Sequence, residues 1–246
     1  MITVSLISQK GGTGKTSTAH ALGAGLAQRG HSVLMIDLDA QANLTYLLQA
    51  KPKRTIADVL QGEARTYDAI VNVALMMDAI ASSTLLSTLQ LKNQHQLERI
   101  LEPVNRRYDY CIIDNPPSLS MLTLNALTAS DRCIIPIQAD VFSLQALPQI
   151  YSTIETIRAN GNPDLIISGI LMTRFNKRAI LSRDALDIIK RHAEQMGTRV
   201  FDTMIRESIS IKEAQALRKD IYTYGKKTNG AIDYNQFVDE FIKEEL

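Results

Sequence analysis

Gln9-Lys10-Gly11-Gly12-Thr13-Gly14-Lys15-Thr16 is the stretch on which the reading of this chain turns. In front of it Ile2-Thr3-Val4-Ser5-Leu6-Ile7 is short, apolar and β-branched, which predicts a buried strand. Behind it Ser17 to Arg29 is rich in Ala and Leu and free of proline, which predicts a helix. A strand, a glycine turn and a helix N-terminus together make a phosphate cradle. The glycines let successive backbone N–H groups converge on one anion, and the helix dipole adds partial positive charge there. Lys15 is placed to reach the β- and γ-phosphates and the Thr16 hydroxyl to ligate Mg²⁺.

The ordinary phosphate-loop pattern, G-x-x-x-x-G-K-S/T, has glycine where this chain has Gln9, and a second lysine, Lys10, stands directly before the double glycine. A lysine at the mouth of the loop points away from its own phosphate pocket and is expected to be free to serve a site on another chain.

Working outward, His31 to Asp37 reads as a second strand, parallel to the first because a helix joins them. It ends in Asp37-Leu38-Asp39, two carboxylates at the C-terminal edge of a strand, where open α/β sheets bind ligands. Tyr108 to Asp114 is a third apolar strand ending in a carboxylate, the Walker B arrangement, with Asp114 opposite the loop as a Mg²⁺ residue. Asn115-Pro116-Pro117-Ser118 then makes a rigid turn.

Further strands are expected over Arg132–Gln138 and Asp164–Thr173, with a last one beginning at Arg199-Val200-Phe201. Helices are expected over Val141–Ala159 and Leu181–Met196. Lys51 to Gln90 is the least legible part. It offers a short capped helix at Thr55–Leu60 and a strand at Met77–Ala81, and a helix over Gln94–Arg107 follows. The alternation predicts an α/β fold, a doubly wound and mostly parallel sheet flanked by helices, with residues 1–246 as one domain.

The box Lys10-Gly11-Gly12-Thr13-Gly14-Lys15-Thr16 resembles the deviant Walker A motif of the ParA/MinD family of dimerising ATPases. The segment Asp37–Asn43 matches that family's D-x-D-P-Q-x-N except for Ala40, and Asp114–Pro117 resembles its switch II, with Asn115 where a small residue or Cys is commoner. Ile137–Leu147 looks like the corresponding ParA segment. Ile205-Arg206-Glu207-Ser208 stands where the Soj-like branch reads I-P-R-N, with Arg206 and Ser208 replacing proline and asparagine. Tyr224–Ala231 is similar to that branch's Y-D-P-R-S-R-G-A.

The resemblance implies an ATPase using ATP and Mg²⁺ that forms a nucleotide-sandwich homodimer, each protomer lending Lys10 to the other's phosphates. It implies nucleotide contacts from Lys10, Gly11, Gly12, Thr13, Gly14, Lys15, Thr16 and Ser17, with Ile205, Arg206 and Ser208 at the base. By the same resemblance Asp39 orients or deprotonates the attacking water, with Lys10 and Lys15 as its catalytic companions, and Thr16, Asp37 and Asp114 serve the metal. Lys227 falls on the position of non-specific DNA binding, with Arg178, Arg199 and Lys226 as companions. The implied role is plasmid or chromosome partition with slow hydrolysis stimulated by a ParB-like adaptor. A MinD-like ATPase positioned on a membrane or pole is the alternative. An iron–sulfur carrier or nitrogenase-reductase-like donor is a further one, for which Cys111 and Cys133 lie inside apolar strands rather than free.

Bulk properties bound these expectations. Of the 246 residues 45% are hydrophobic and the formal net charge is +1, too small for a chain that coats DNA over its whole surface. Between Arg158 and Lys227, however, fourteen Lys/Arg face eight Asp/Glu, a mild pointer to a polyanion. No apolar run approaches the roughly 20 residues of a membrane span and no signal peptide precedes the first strand, so a cytoplasmic, nucleoid-associated protein without membrane contact is expected. A helix-turn-helix domain for operator binding is not expected ahead of the first strand either. The end of the chain, Ala231 to Leu246, carries Ile232, Phe237, Val238, Phe241 and Ile242 at helical spacing with an acidic polar face, and is expected to pack on the sheet.

Overall fold

A computed structural model describes residues 1–244. Its chain runs β1 (Ile2–Leu6), α1 (Lys15–Gln28), β2 (Val33–Asp37), α2 (Asn43–Leu47), α3 (Ile56–Gln61), α4 (Thr66–Ala69), β3 (Ile70–Ala74) and β4 (Met77–Ile80). It continues through α5 (Gln96–Leu101), β5 (Tyr110–Asp114), α6 (Met121–Thr128), β6 (Arg132–Gln138), α7 (Val141–Asn160), β7 (Ile166–Thr173) and α8 (Ile180–Gln195). Three helices close it: α9 (Ile209–Ala216), α10 (Ile221–Gly225) and α11 (Asn229–Lys243).

The seven strands form one sheet in the order β3-β4-β2-β5-β1-β6-β7, parallel except for β3, which pairs antiparallel with β4 at the edge. The doubly wound, mostly parallel expectation is met. Alternate side chains of each strand go to opposite faces, as the pleat requires. Val4, Tyr110, Ile112 and Leu171 pack under α1 and α11 on one face. Cys111 and Ile113 pack under α3 and α5 on the other, with Cys133, Ile135 and Met172 beside them under α7 and α8. Both cysteines are fully buried in those strands.

The helix expected over Gln94–Arg107 is shorter. It ends at Leu101 and passes into a 3-10 turn at Glu102–Val104, because Pro103 has no N–H to extend an α-helical ladder. The strand expected at Arg199 is likewise only a single bridge, Val200 to Ile170, since Asp202 and Thr203 give their N–H groups to the Glu240 carboxylate instead of to β7. The helix expected at the C-terminus is α11. It packs on α1 and reaches the sheet through Phe241 beside Tyr110, ring centroids 6.3 Å apart, while Glu245 and Leu246 lie outside the described residues.

Candidate active site

β1, β2 and β5 are neighbours in register, Leu6 beside Asp114 and Asp114 beside Asp37, so the phosphate loop and both carboxylate-ended strands finish at the same edge of the sheet. The loop between β1 and α1 turns at Gly12 (φ 81°) and Gly14 (φ 87°), a left-handed backbone that glycine adopts without steric cost. Its carbonyls are pulled outward: the Gln138 amide donates to Gly12 O and the Thr173 hydroxyl to Thr13 O (2.6 Å). With the carbonyls held by β6 and β7, the N–H groups of the loop are left to the anion side.

Beside the loop lies a cavity of about 660 Å³. Gly11 through Ser17 line one end with Asp39 and Pro117, and Arg174, Ile205, Arg206, Glu207 and Ser208 line the other. The predicted phosphate, catalytic and base residues are therefore brought to one cavity, with the exception of Lys10, which is not part of its wall.

Lys15 is buried, its Nζ 3.9 Å from Asp114 Oδ1. Thr16 donates its hydroxyl proton to Asp114 Oδ2 at 2.6 Å. Burial pushes the Asp114 carboxyl up to about 6 in spite of Lys15 and Thr16, and burial together with the nearby Asp114 charge pushes Asp37 to about 7. This crowding of buried carboxylates suits a divalent cation, and Asp114 Oδ1 is buried with no hydrogen-bond partner. Among the described residues no group of three His, Cys, Asp or Glu converges as a cage. One hydroxyl and a carboxylate, completed by phosphate oxygens and water, is the sparse donor set that Mg²⁺ takes.

Asp37 and Asp39 behave differently although they are two residues apart. Asp37 accepts from Thr45 N, Thr45 Oγ1 and Asp39 N, so it shapes the loop into α2. Asp39 lies on the cavity wall, with Oδ1 accepting from Gln41 N at 3.0 Å. Its backbone carbonyl is fixed by Ser82 Oγ and Ala42 N. Ala42 itself is held at φ 53°, an uncommon backbone for a residue with a Cβ, at the turn that presents this carboxylate.

Lys10 is expected from sequence to be free. The structure corrects this: Lys10 Nζ sits 2.8 Å from Asp140 Oδ2 and 5.8 Å from the centre of the Phe142 ring. Asp140 caps α7 by accepting from Ser143 N and Oγ. Burial works against the charge on Asp140, yet the bonds from Lys10 and Ser143 hold its carboxyl below the usual range. Lys10 therefore points away from the cavity, as read, but is docked on its own chain.

The four basic residues assigned to DNA are not gathered in one place. Lys226 and Lys227 are exposed between α10 and α11, and Arg178 is exposed beyond β7. Arg199 pairs with Glu240 (3.0 Å) and Glu244 at the opposite end of α11 and lies over the Phe201 ring. At 1.5 Å per residue, Glu240 is about 18 Å along the axis from Thr228. Thr45, Ser82, Asp140, Gln138 and Thr173 are the site residues that the sequence does not single out. The rule that ligands bind at the C-terminal ends of strands points to Gln138, Asp140 and Thr173, which end or follow β6 and β7.

A glycine loop opening α1, two carboxylate-ended strands beside it and a lysine on the far side of the loop define a phosphate-loop nucleoside triphosphatase. The AAA domain family matches residues 1–167. The chain is 35% identical over 254 residues to the chromosome partitioning protein ParA of Caulobacter vibrioides, covering 98% of this chain and 94% of that protein. It is 34% identical over 241 residues to the sporulation initiation inhibitor protein Soj of Bacillus subtilis, covering 94% of each. Among solved structures, apo McdA of Cyanothece superposes with a TM-score of 0.89 at 27% identity, over 98% of this chain and 99% of that one. Cobyrinic acid a,c-diamide synthase of Mycobacterium smegmatis, with bound ATP analog and magnesium, gives 0.85 at 29% identity over 100% and 96%. The chain belongs to the ParA/MinD family of partition ATPases.

Proposed function

We propose that residues 1–246 act as one ATPase domain that binds ATP with Mg²⁺, dimerises on the nucleotide, holds DNA without sequence preference and partitions a replicon under the control of a ParB-like adaptor. The observation that carries this reading is the division of labour between two lysines five residues apart: Lys15 faces the cavity beside Asp114, and Lys10 stands outside the cavity wall. A cation placed at the mouth of the loop but turned from its own cavity serves the phosphates of a second copy. Exposed apolar side chains accompany it at the N-termini of the helices that follow β5, β6 and β7: Met121, Val141, Phe142, Ile180 and Leu181. These helix ends lie along the edge of the sheet that carries the loop, which suits burial against a second copy.

Phosphoryl transfer asks for positioning and charge neutralisation more than covalent chemistry. The loop N–H groups and Lys15 bind the phosphates, Thr16 and Asp114 hold Mg²⁺, and Asp39 orients the attacking water. Bound Mg²⁺ supplies neutralisation of the phosphate charge. Asp37 supports the arrangement from behind by fixing the loop that carries Asp39.

The Lys10–Asp140 pair makes dimerisation a swap of partners for Lys10. Lys10→Ala should bind ADP with the parent's affinity as a monomer and fail to dimerise on ATP. Asp140→Asn keeps an acceptor for Ser143 N but removes the counter-charge. A partly exposed ion pair is worth up to about 1 kcal/mol and the dimer gives up two of them, one per protomer, so ATP dimers of Asp140→Asn should form at up to roughly thirty-fold lower protein concentration. Light scattering against concentration decides both. A normal ATP dimer of Lys10→Ala removes the trans role.

For DNA, the exposed Lys226 and Lys227 carry the proposal, with Arg178 as a companion; Arg199, engaged by Glu240 and Glu244, contributes least. Lys226→Ala with Lys227→Ala should weaken binding equally across sequences and flatten the slope of log affinity against log salt by about 2 for each protomer that touches the DNA. An unchanged slope in filter binding removes these residues from the interface.

A further inference from the structure

The loop between β1 and α1 grips an anion only if its N–H groups turn to one side. Among the described residues the N–H groups of Gly12, Thr13, Gly14 and Lys15 donate to no protein atom. Their direction is therefore set from behind, by whatever holds the carbonyls. In a trans peptide the C=O and the following N–H point opposite ways, so a carbonyl drawn outward aims the next N–H into the cavity.

Two carbonyls are drawn outward in this way, and they are not equivalent. Gly12 O accepts from the Gln138 amide at a partly exposed position, where water is an adequate substitute donor. Thr13 is buried, and its carbonyl accepts at 2.6 Å from the Thr173 hydroxyl, itself 2% exposed at the end of β7. Thr173 Oγ1 also lies 3.1 Å from Ile137 O, but a hydroxyl has one proton and the shorter bond takes it. The side chain stands directly against the loop: a Cβ at Gly14 would meet Thr173 Cγ2 at 3.5 Å. On either side of this peptide the loop is already committed. The Thr13 hydroxyl bonds Ser8 Oγ at 2.7 Å, and Gly14 O accepts from Thr18 N at 2.8 Å.

From this geometry we infer that Thr173 is a positioning residue for phosphate binding: its buried hydroxyl fixes the Thr13–Gly14 peptide so that Gly14 N–H meets the phosphates. The inference rests on the nucleotide reading of the cavity. Without the hydroxyl, Thr13 O is a buried acceptor with no donor, and turning the peptide over relieves it. Gly14 permits that turn, because glycine adopts positive and negative φ alike. Its N–H then points away from the cavity, and an arriving phosphate must turn it back.

The test is calorimetric titration of ADP and of inorganic tripolyphosphate into the parent, Thr173→Val and Thr173→Ser. Valine keeps the shape and removes the proton; serine keeps the proton and drops the methyl group. Thr173→Val should lose roughly ten- to hundred-fold in affinity, equally for both ligands, the range of one hydrogen bond to a charged acceptor. Thr173→Ser should recover most of that loss, a rescue that packing alone does not give. Parent-like tripolyphosphate affinity in Thr173→Val overturns the assignment. A loss confined to ADP overturns it too, since Thr173 would then act on the nucleoside, and so does a Thr173→Ser as weak as Thr173→Val. Thr173→Ala, which also lacks the donor, takes the place of a Thr173→Val that does not fold and is read in the same way. A parent that binds both ligands while Thr173→Val matches it sinks the inference alone; a parent that binds neither sinks the nucleotide reading with it.

Discussion

Lys15→Ala abolishes nucleotide binding: in a thermal-shift titration the parent's melting temperature climbs with ADP and the variant's stays flat. The reason lies in how little else neutralises charge at that end of the cavity. Lys15 Nζ is the cation beside Asp114, at 3.9 Å, with a side chain only 8% exposed. The Asp114 Oδ1 atom it faces has no hydrogen bond of its own. Removing the ammonium leaves Asp114 without its counter-ion and takes away the charge aimed at the phosphates, and truncating one partner of a buried charge pair in a binding site typically costs about 2–5 kcal/mol of binding. That is a loss of affinity of roughly thirty-fold or more, read as the loss of the ligand-induced shift at ADP concentrations that saturate the parent. The fully buried Asp114 is already pushed up to about 6, so it has a way to accommodate the loss by taking a proton, and the unliganded variant should still fold. A parent-like upward shift with ADP would show that the loop N–H groups alone hold the phosphates.

How much of this was legible beforehand follows from the length scale of each feature. The loop, the Asp37–Asp39 pair and the strand ending in Asp114 are local: each is a few residues whose chemistry and flanking strand are contiguous, and parallel pairing puts their ends together. The same logic recovers the sheet. β3 escaped because Ile70–Ala74 is an edge strand with none of its five residues buried, and Asn72 in its middle breaks the apolar run. Arg199–Phe201 misled because its main chain does pair with Ile170 of β7 as a strand would, while the next two residues, Asp202 and Thr203, turn their N–H groups to the Glu240 carboxylate and end the pairing at one bridge.

The site has the same division. What the sequence conceals is every partner that reaches across the fold: Asp140 on Lys10, Thr173 on Thr13, Ser82 on Asp39 and Asp233 on Arg206, with separations from 27 to 160 residues. These contacts decide what the local motifs do. Lys10 reads as unattached until β6 delivers Asp140 beside it. Arg206 reads only as a replacement for proline until α11 places the Asp233 carboxylate behind it.

Asp39→Ala should stop hydrolysis while sparing everything that precedes it. The loop around Asp39 is fixed by its main chain: Asp39 O accepts from Ser82 Oγ at 2.6 Å and from Ala42 N at 2.8 Å, and Asp39 N donates to Asp37 Oδ1. All three bonds survive truncation of the side chain, so among the described residues the hydrogen bond given up is the one from Gln41 N to Oδ1. The cavity and the Thr16–Asp114 contact are untouched, and ADP affinity should match the parent's. What disappears is the carboxylate on the cavity wall able to accept from an attacking water, a role worth about 10²–10⁴ in rate for a positioned general base. Turnover should fall at least a hundred-fold, and ATP-driven dimers should persist for hours in light scattering instead of decaying as ATP is consumed. Asp39→Asn, which keeps the acceptor for Gln41 but orients water poorly, should fall between the two. Hydrolysis by Asp39→Ala at the parent's rate would move the water-positioning role elsewhere on the cavity wall, and a variant that neither hydrolyses nor dimerises would mean that Asp39 shapes the site rather than acting in it.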